Sequence, residues 1–282
     1  MIMNIRNALN KASKKLKKNN IKTFQIDSEI LLANTINKDR KYIILNLNDQ
    51  IKKFYLKKFN DLIDRRCKGE PVAYLIKKKE FWNETFYINE KVLIPRPDTE
   101  IIVESVLGMF PKNSKLQMLD IGTGSGCIVL SILKERPNFY GTGIDISKNS
   151  IDVCKYNTQL FNLSNRVKFY NSDVDNFILG KYDLITSNPA YIDLLSLKYL
   201  EKDVINFEPK LALNGGLDGF SQIRKVINKA AVLIKKNGKF VLEIGFNQKD
   251  KVKKILKEKK FYINKTLKDY GNNYRCIIST KF

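Results

Sequence analysis

Three glycines at alternate positions, in Gly122-Thr123-Gly124-Ser125-Gly126, follow Asp120-Ile121 at the junction of two apolar runs. Lacking a Cβ, they let a backbone turn approach a ligand closely, and a helix opening there offers unpaired N–H groups. A dinucleotide fingerprint, G-x-G-x-x-G, would place its third glycine one residue later, where this chain has Cys127. Further on, Asp145 sits in Gly143-Ile-Asp-Ile-Ser147 at the end of another apolar run. An acid at the carboxyl end of a strand can hold both hydroxyls of a ribose, which points to a nucleoside without saying which. Asp145 is equally suited to capping the next helix, a duty open to Ser147 and Asn149 as well. Mechanisms that need imidazole are excluded, because the chain has no histidine. Cys67, Cys127, Cys154 and Cys276 are scattered and form no C-x-x-C pair. Neither a zinc site nor a disulfide scaffold is expected from them, and no metal is expected at all.

These residues need a sheet to hold them. From Leu116 onward, expected strands at 118–122, 140–146, 167–170, 182–188 and 240–245 alternate with expected helices at 126–136, 150–162, 221–236 and 248–260. The alternation predicts an α/β fold with a mostly parallel sheet covered on both faces. Two last strands, 262–268 and 274–281, flank Gly271-Asn272-Asn273, and so short a connection requires one antiparallel member.

Residues 1–72 read instead as a small helical domain. Ile5, Leu9, Ala12 and Leu16 recur at helical spacing, and Asp27 or Ser28 is placed to cap a second helix. A third helix, marked by Ile51 to Ile63, ends near Gly69 and Pro71. Residues 73–97 read as a β-hairpin linker, with aromatics in 74–88 on both sides of Asn83-Glu84. Pro95 and Pro97 then precede a helix from Thr99 to Met109, which opens the third division, 98–282.

Lys plus Arg number 51 against 29 Asp plus Glu, a net charge of +22 over 282 residues, 43% of them hydrophobic. The apolar share suffices for a sizeable core. Up to Pro97 the chain carries 22 basic and 10 acidic residues, so the helical domain is the denser positive surface. Such a surface suits an anionic partner, although a lysine- and asparagine-rich composition gives the same charge without one, and both readings stay open. The opening residues lack the apolar centre of a signal peptide, and no run approaches the ~18 apolar residues that span a bilayer. A cytoplasmic protein with no membrane attachment is expected.

The glycine loop resembles motif I of the S-adenosylmethionine-dependent methyltransferases. That resemblance implies that Gly122, Thr123, Gly124, Ser125, Gly126 and Asp145 hold the cofactor, with Asp173 on the adenine amino group and Val174 beside the ring. Asn188-Pro189-Ala190-Tyr191, closing the expected strand at 182–188, resembles the N-P-P-Y signature of methyltransferases that modify planar nitrogens. Such a nitrogen is a poor nucleophile because its lone pair is delocalised. In this reading the Asn188 side-chain oxygen and the Pro189 carbonyl accept both N–H protons and aim the lone pair, while Tyr191 packs on the substrate's flat face. Ala190 stands where the signature has a second proline, which loosens the turn without touching either acceptor.

Flanking segments narrow the resemblance. Pro71-Val-Ala-Tyr-Leu75, Val92-Leu-Ile-Pro-Arg-Pro-Asp-Thr-Glu100, Glu208-Pro-Lys-Leu-Ala-Leu213, Gly216-Leu-Asp-Gly219 and Leu242-Glu-Ile-Gly245 are together similar to the HemK/PrmC family. Membership implies a Rossmann-like methyltransferase sheet behind a helical domain that docks the substrate. It implies methyl transfer to the glutamine side chain of the Gly-Gly-Gln motif in class 1 peptide chain release factors, by a monomer that does not require nucleic acid. Arg96, Asp98 and Glu100 either line the cleft or cap and pair with the helix from Thr99, two readings left equal. A DNA or RNA adenine N6-methyltransferase would use the same loop, acid and turn, and the positive charge suits it. No added base-reading domain is recognisable, and the flanking segments match the glutamine family.

Overall fold

A computed structural model describes residues 3–282; Met1 and Ile2, at the head of the expected helical domain, lie outside the described residues. The chain forms two compact units, one running to Lys78 and taking up Glu201–Phe207, the other made of Lys79–Leu200 and Glu208–Phe282.

In the first unit, β1 (Met3–Asn4) leads into α1 (Ile5–Lys18), followed by α2 (Phe24–Ile36) and α3 (Arg40–Leu45). Then come β2 (Gln50–Ile51), which pairs antiparallel with β1, α4 (Lys53–Cys67) and α5 (Val72–Ile76). The α1 face is set by Ile5, Ala8, Ala12 and Leu16, all buried in one cluster with Leu31, Leu32, Phe59 and Ile63. The Asn4 side chain caps α1 by accepting from the Asn7 N–H at 2.9 Å, and Lys15, Lys17 and Lys18 sit in its last turn, where the helix dipole favours cations. Helix α2 starts earlier than expected, at Phe24, so Asp27 and Ser28 fall inside it rather than at its cap. Asp27 has another duty. Its carboxylate accepts from Thr23 at 2.8 Å and from Arg66 of α4 at 2.7 Å, and both charged residues are buried. Arg66 spends a further N–H on the Gly69 and Glu70 carbonyls, at 3.2 Å each. Removing either partner of such a pair leaves a buried charge uncompensated.

The break at Lys78 also differs from the expected hairpin boundaries. Tyr74 to Ile76 belong to α5, which Lys77 ends in the left-handed region at φ 55°. The hairpin is confined to β3 (Lys78–Phe81) and β4 (Glu84–Tyr87).

The second unit continues with α6 (Glu100–Met109), β5 (Leu116–Ile121), α7 (Cys127–Glu135), β6 (Phe139–Asp145), α8 (Lys148–Leu160), β7 (Val167–Asn171) and β8 (Tyr182–Ser187). After α9 (Lys202–Phe207), which is part of the first unit, come α10 (Lys210–Leu213), α11 (Ser221–Leu233), β9 (Ile234–Glu243), α12 (Lys249–Glu258), β10 (Phe261–Lys268) and β11 (Tyr274–Lys281). Seven strands form one sheet in the order β10-β11-β9-β8-β5-β6-β7. The pairs from β9 to β7 are parallel, and β11 runs antiparallel to both of its neighbours. The central strands β5 and β8 are buried along most of their length, as parallel strands covered on both faces must be. Leu119, Ile121, Ile185, Phe240 and Leu242 share a cluster with Ile223, Val226 and Ile227 of α11 and Val252 and Leu256 of α12. The chain leaves β5 toward β6 and β7, then returns on the other side as β8. That reversal puts the topological switch point, and hence the crevice, at the carboxyl ends of β5, β6 and β8.

Candidate active site

All of this site lies in the second unit. At the end of β5 the loop is in the left-handed region at each glycine, with φ of 73° at Gly122, 57° at Gly124 and 81° at Gly126. A side chain at any of the three would be strained. The N–H groups of Gly122 and Thr123 both donate to the Ile144 carbonyl of β6, at 2.9 and 3.0 Å, which folds the loop over the next strand. Asn157 of α8, fully buried, donates to the Ser125 carbonyl at 2.9 Å and also pairs with the Tyr87 backbone of β4.

Asp145 ends β6. Its Oδ2 accepts from the Gly124 N–H and its Oδ1 from the Ser147 N–H, both at 2.9 Å. Burial raises its pKa, and those two backbone donors oppose the rise. The cap of α8 is Ser147, which accepts from the Ser150 N–H at 3.2 Å, so the helix leaves Asp145 for the loop. Asp173 accepts from the Asp175 N–H at 2.8 Å and thereby caps the short turn that carries Val174.

A cleft at these strand ends is lined by Gly122, Thr123, Gly124, Ser125, Asp145, Asp173, Val174, Asn188, Pro189 and Ala190. Two expected residues are not in its lining. Gly126 sits at the start of α7, where an added Cβ would meet Leu130 at 3.0 Å, so it serves helix packing. Tyr191 is turned away from the cleft: its hydroxyl donates to Glu243 Oε1 and accepts from Arg275 Nη1, each at 3.4 Å. Burial raises the Tyr191 pKa. This placement differs from the expectation that the ring packs on a substrate, because the acid and arginine claim the polar end of the ring.

Asn188 follows β8 directly. Its Nδ2 donates to the Thr99 hydroxyl at 3.1 Å, which leaves Oδ1 as the acceptor end of the amide. The turn is fastened from behind by Gln248, whose Nε2 donates to the carbonyls of Tyr191 and Gly219, both at 3.0 Å. Gly215 makes room for it, since a Cβ there would lie 2.8 Å from Tyr191 Cα.

The two readings of Arg96, Asp98 and Glu100 separate in the structure. Arg96 lines the cleft and pairs with the buried Glu208 at 2.5 Å. Asp98 lies 3.7 Å from Arg275, and Glu100 accepts from the Trp82 N–H at 2.7 Å, fixing the hairpin turn. Thr99, Glu208, Glu243 and Gln248 carried no expected role in the site. Glu243 offers the same cue as Asp145, an acid at the carboxyl end of a parallel strand.

The cleft fits a nucleoside cofactor. Cβ atoms built on Gly122 and Gly124 meet nothing within 4 Å, so the loop presents open backbone to the cleft. Asp145 stands at the adjacent strand end for ribose hydroxyls, and Val174 gives an apolar surface for a base. Under the loop, Asp120 is fully buried and accepts from Thr186 at 2.8 Å; burial raises its pKa to about 7. Among the described residues no three His, Cys, Asp or Glu side chains gather as a metal site, and no helix is long and apolar enough to cross a membrane.

Comparison with known proteins agrees with this geometry. Residues 7–76 match the PrmC N-terminal domain and residues 112–278 a methyltransferase domain. The release factor glutamine methyltransferase of Buchnera aphidicola subsp. Schizaphis graminum is 38% identical, with 99% of this chain and 100% of that protein aligned. That of Clostridium acetobutylicum is 37% identical over 99% of each. The chain belongs to the release factor glutamine methyltransferase family. Relatives named bifunctional methyltransferase are longer: the chain spans 58% of the one from Rickettsia felis, at 34% identity over 99% of this chain. A methyltransferase from Pyrococcus furiosus shares the family's fold at 19% identity, with a TM-score of 0.51 over 70% of this chain and 88% of that one. The Rossmann-like sheet and the helical domain before it are thus those of the family.

Proposed function

We propose that the chain transfers a methyl group from S-adenosylmethionine to the side-chain amide nitrogen (N5) of the Gly-Gly-Gln glutamine in class 1 peptide chain release factors. The observation that carries this reading is Asn188, held by Thr99 at 3.1 Å with its amide oxygen left over, in the lining of the same cleft as the glycine loop and Asp145. Gly122, Thr123, Gly124, Ser125 and Gly126 shape the loop that would hold the cofactor, and Asp145, Asp173, Val174 and Asn188 complete its surroundings. When bound, the cofactor supplies an electrophilic methyl group. The Asn188 Oδ1 and the Pro189 carbonyl accept the two N–H protons of the glutamine amide. With both protons held, the nitrogen lone pair is directed along one line, which replaces a costly orientational search. Tyr191 keeps the turn in place through Glu243 and Arg275. Ala190 in place of a second proline leaves both acceptors intact.

The basic first unit is the surface proposed to dock the release factor, whose conserved chemistry need not include nucleic acid. The enzyme acts as a monomer in the cytoplasm in this reading. The test uses labelled donor with purified release factor in one reaction and with DNA or RNA in another. Label on the factor's Gly-Gly-Gln peptide supports the proposal. Label on adenine instead would replace it with the nucleic-acid reading that the net charge of +22 suits.

A further inference from the structure

We infer that Glu243 is a positioning residue, whose carboxylate acts through the Thr99 hydroxyl to set which end of the Asn188 amide faces the cleft. The inference deepens the proposed function and rests on its reading of Asn188 as the acceptor of a substrate N–H.

Thr99 is 2% exposed and Glu243, the last residue of β9, is 1% exposed. A hydroxyl has one hydrogen and two lone pairs, and Thr99 Oγ1 already accepts from Asn188 Nδ2 at 3.1 Å. Its own hydrogen needs a buried acceptor, and the Glu243 carboxyl, which the Thr99 hydroxyl helps to hold in its charged form, is that acceptor. An ionised carboxylate only accepts, so it compels Thr99 to show Asn188 a lone pair rather than a hydrogen. The Asn188 amide must then offer its NH2 to Thr99 and turn Oδ1 to the cleft. The same carboxyl receives the Tyr191 hydroxyl at 3.4 Å, so one acid reaches both ends of the Asn188–Tyr191 turn.

Protonation would reverse this logic. A neutral Glu243 has a hydrogen to donate, which frees Thr99 to point its own hydrogen at Asn188. The favoured amide is then flipped, with NH2 toward the cleft, where a substrate N–H needs an acceptor. Burial, the largest influence, raises the Glu243 pKa to about 7. The charged and titratable groups that face Glu243 are Asp98 before α6, Cys127 of α7, Tyr191 of the turn, and Arg275 and Cys276 of β11. Asp269 bears on it only through its pairing with Arg275 at 2.9 Å.

The direct test is nuclear magnetic resonance of the Asn188 side-chain amide in the full chain, assigned by its disappearance in Asn188→Ala. The wild-type signal should titrate with a midpoint of about 7. The titration should vanish in Glu243→Gln and in Thr99→Val, and return in Thr99→Ser. In the transfer assay kcat should rise through the same midpoint in the wild type and lose that dependence in Glu243→Gln. Thr99→Val should lower kcat by up to about 10²-fold, the cost of a misplaced reacting group, with cofactor affinity unchanged by calorimetry. A wild-type amide that does not titrate, or one whose titration survives Glu243→Gln, would overturn the inference. A titrating amide in a protein that methylates no Gly-Gly-Gln peptide would overturn the proposed function and leave the positioning role standing.

Discussion

On the cofactor side of the cleft, the 122–126 loop is held largely by one stretch of chain, Ile144 to Asn157. On the acceptor side, the Asn188–Tyr191 turn is held by Thr99, Gly215, Gly219, Gln248, Glu243 and Arg275, drawn from across the unit. A loop held by backbone bonds to the next strand is constrained by its own glycines. A turn held from outside tolerates a change in its own sequence, because its geometry is imposed by others. Ala190 illustrates the second case, standing where the family signature has proline while Gln248 and Thr99 hold the residues around it.

If this contrast is sound, the largest effect comes from the acceptor. Asn188→Ala removes an oxygen that nothing else in the turn replaces. Its transfer rate should fall by about 10²–10³, the usual cost of one positioned electrostatic partner, with the melting temperature nearly unchanged. A near wild-type rate would break the acceptor side of the account. On the other side, Asp145→Ala loses the hydrogen bond from Gly124 as well as the ribose contacts, each charge-assisted bond contributing about 1.5–3 kcal/mol. Cofactor affinity by calorimetry should weaken by one to two orders of magnitude, about what that energy gives. Unchanged affinity would remove Asp145 from the site.

A third measurement separates the sides by pH. Asp120 beneath the loop and Glu243 behind the turn have pKa values raised from 3.8 and 4.5 to about 7. The folded state therefore holds their protons more tightly than the unfolded one. Their contribution to stability is full below about 4 and is lost as pH rises toward 7. Melting temperature should fall over that window, and Glu243→Gln and Asp120→Asn should each flatten part of the fall. A flat wild-type profile would contradict both raised values. The smallest effect is expected from Ala190→Pro. A ring at 190 should keep or raise the rate and add about 0.4–1 kcal/mol of stability through the unfolded chain. A tenfold loss of rate at constant melting temperature, well beyond what loosening explains, would make Ala190 a local adaptation.

The same contrast decides what was legible in the sequence. Glycines at alternate positions after an acid, and an acid at the next strand end, are local signals, and both fell at the cleft. The support of the turn was not legible, because Thr99 and Glu243 lie far apart in the chain and only the sheet brings them to Asn188. Leu242-Glu-Ile-Gly245 was visible as a segment without a role. Element boundaries slipped for physical reasons. Strand β9 was expected from residue 240, since Lys235, Lys236, Asn237 and Gly238 read as a turn. It begins at Ile234, and those residues bulge out of a ladder that passes from Tyr182–Ile234 to Leu184–Lys239. Asp27 was read as a cap because a buried acid in a helix is invisible until its partner Arg66 is placed.

The central claim is methyl transfer to a glutamine side chain, and mass spectrometry of the release factor tests it most directly. Purified factor incubated with this chain and isotopically labelled S-adenosylmethionine should gain one labelled methyl group, located on the Gly-Gly-Gln glutamine and absent when Asn188→Ala is used. An unmodified glutamine, with label found on adenine of added nucleic acid or nowhere, would contradict it.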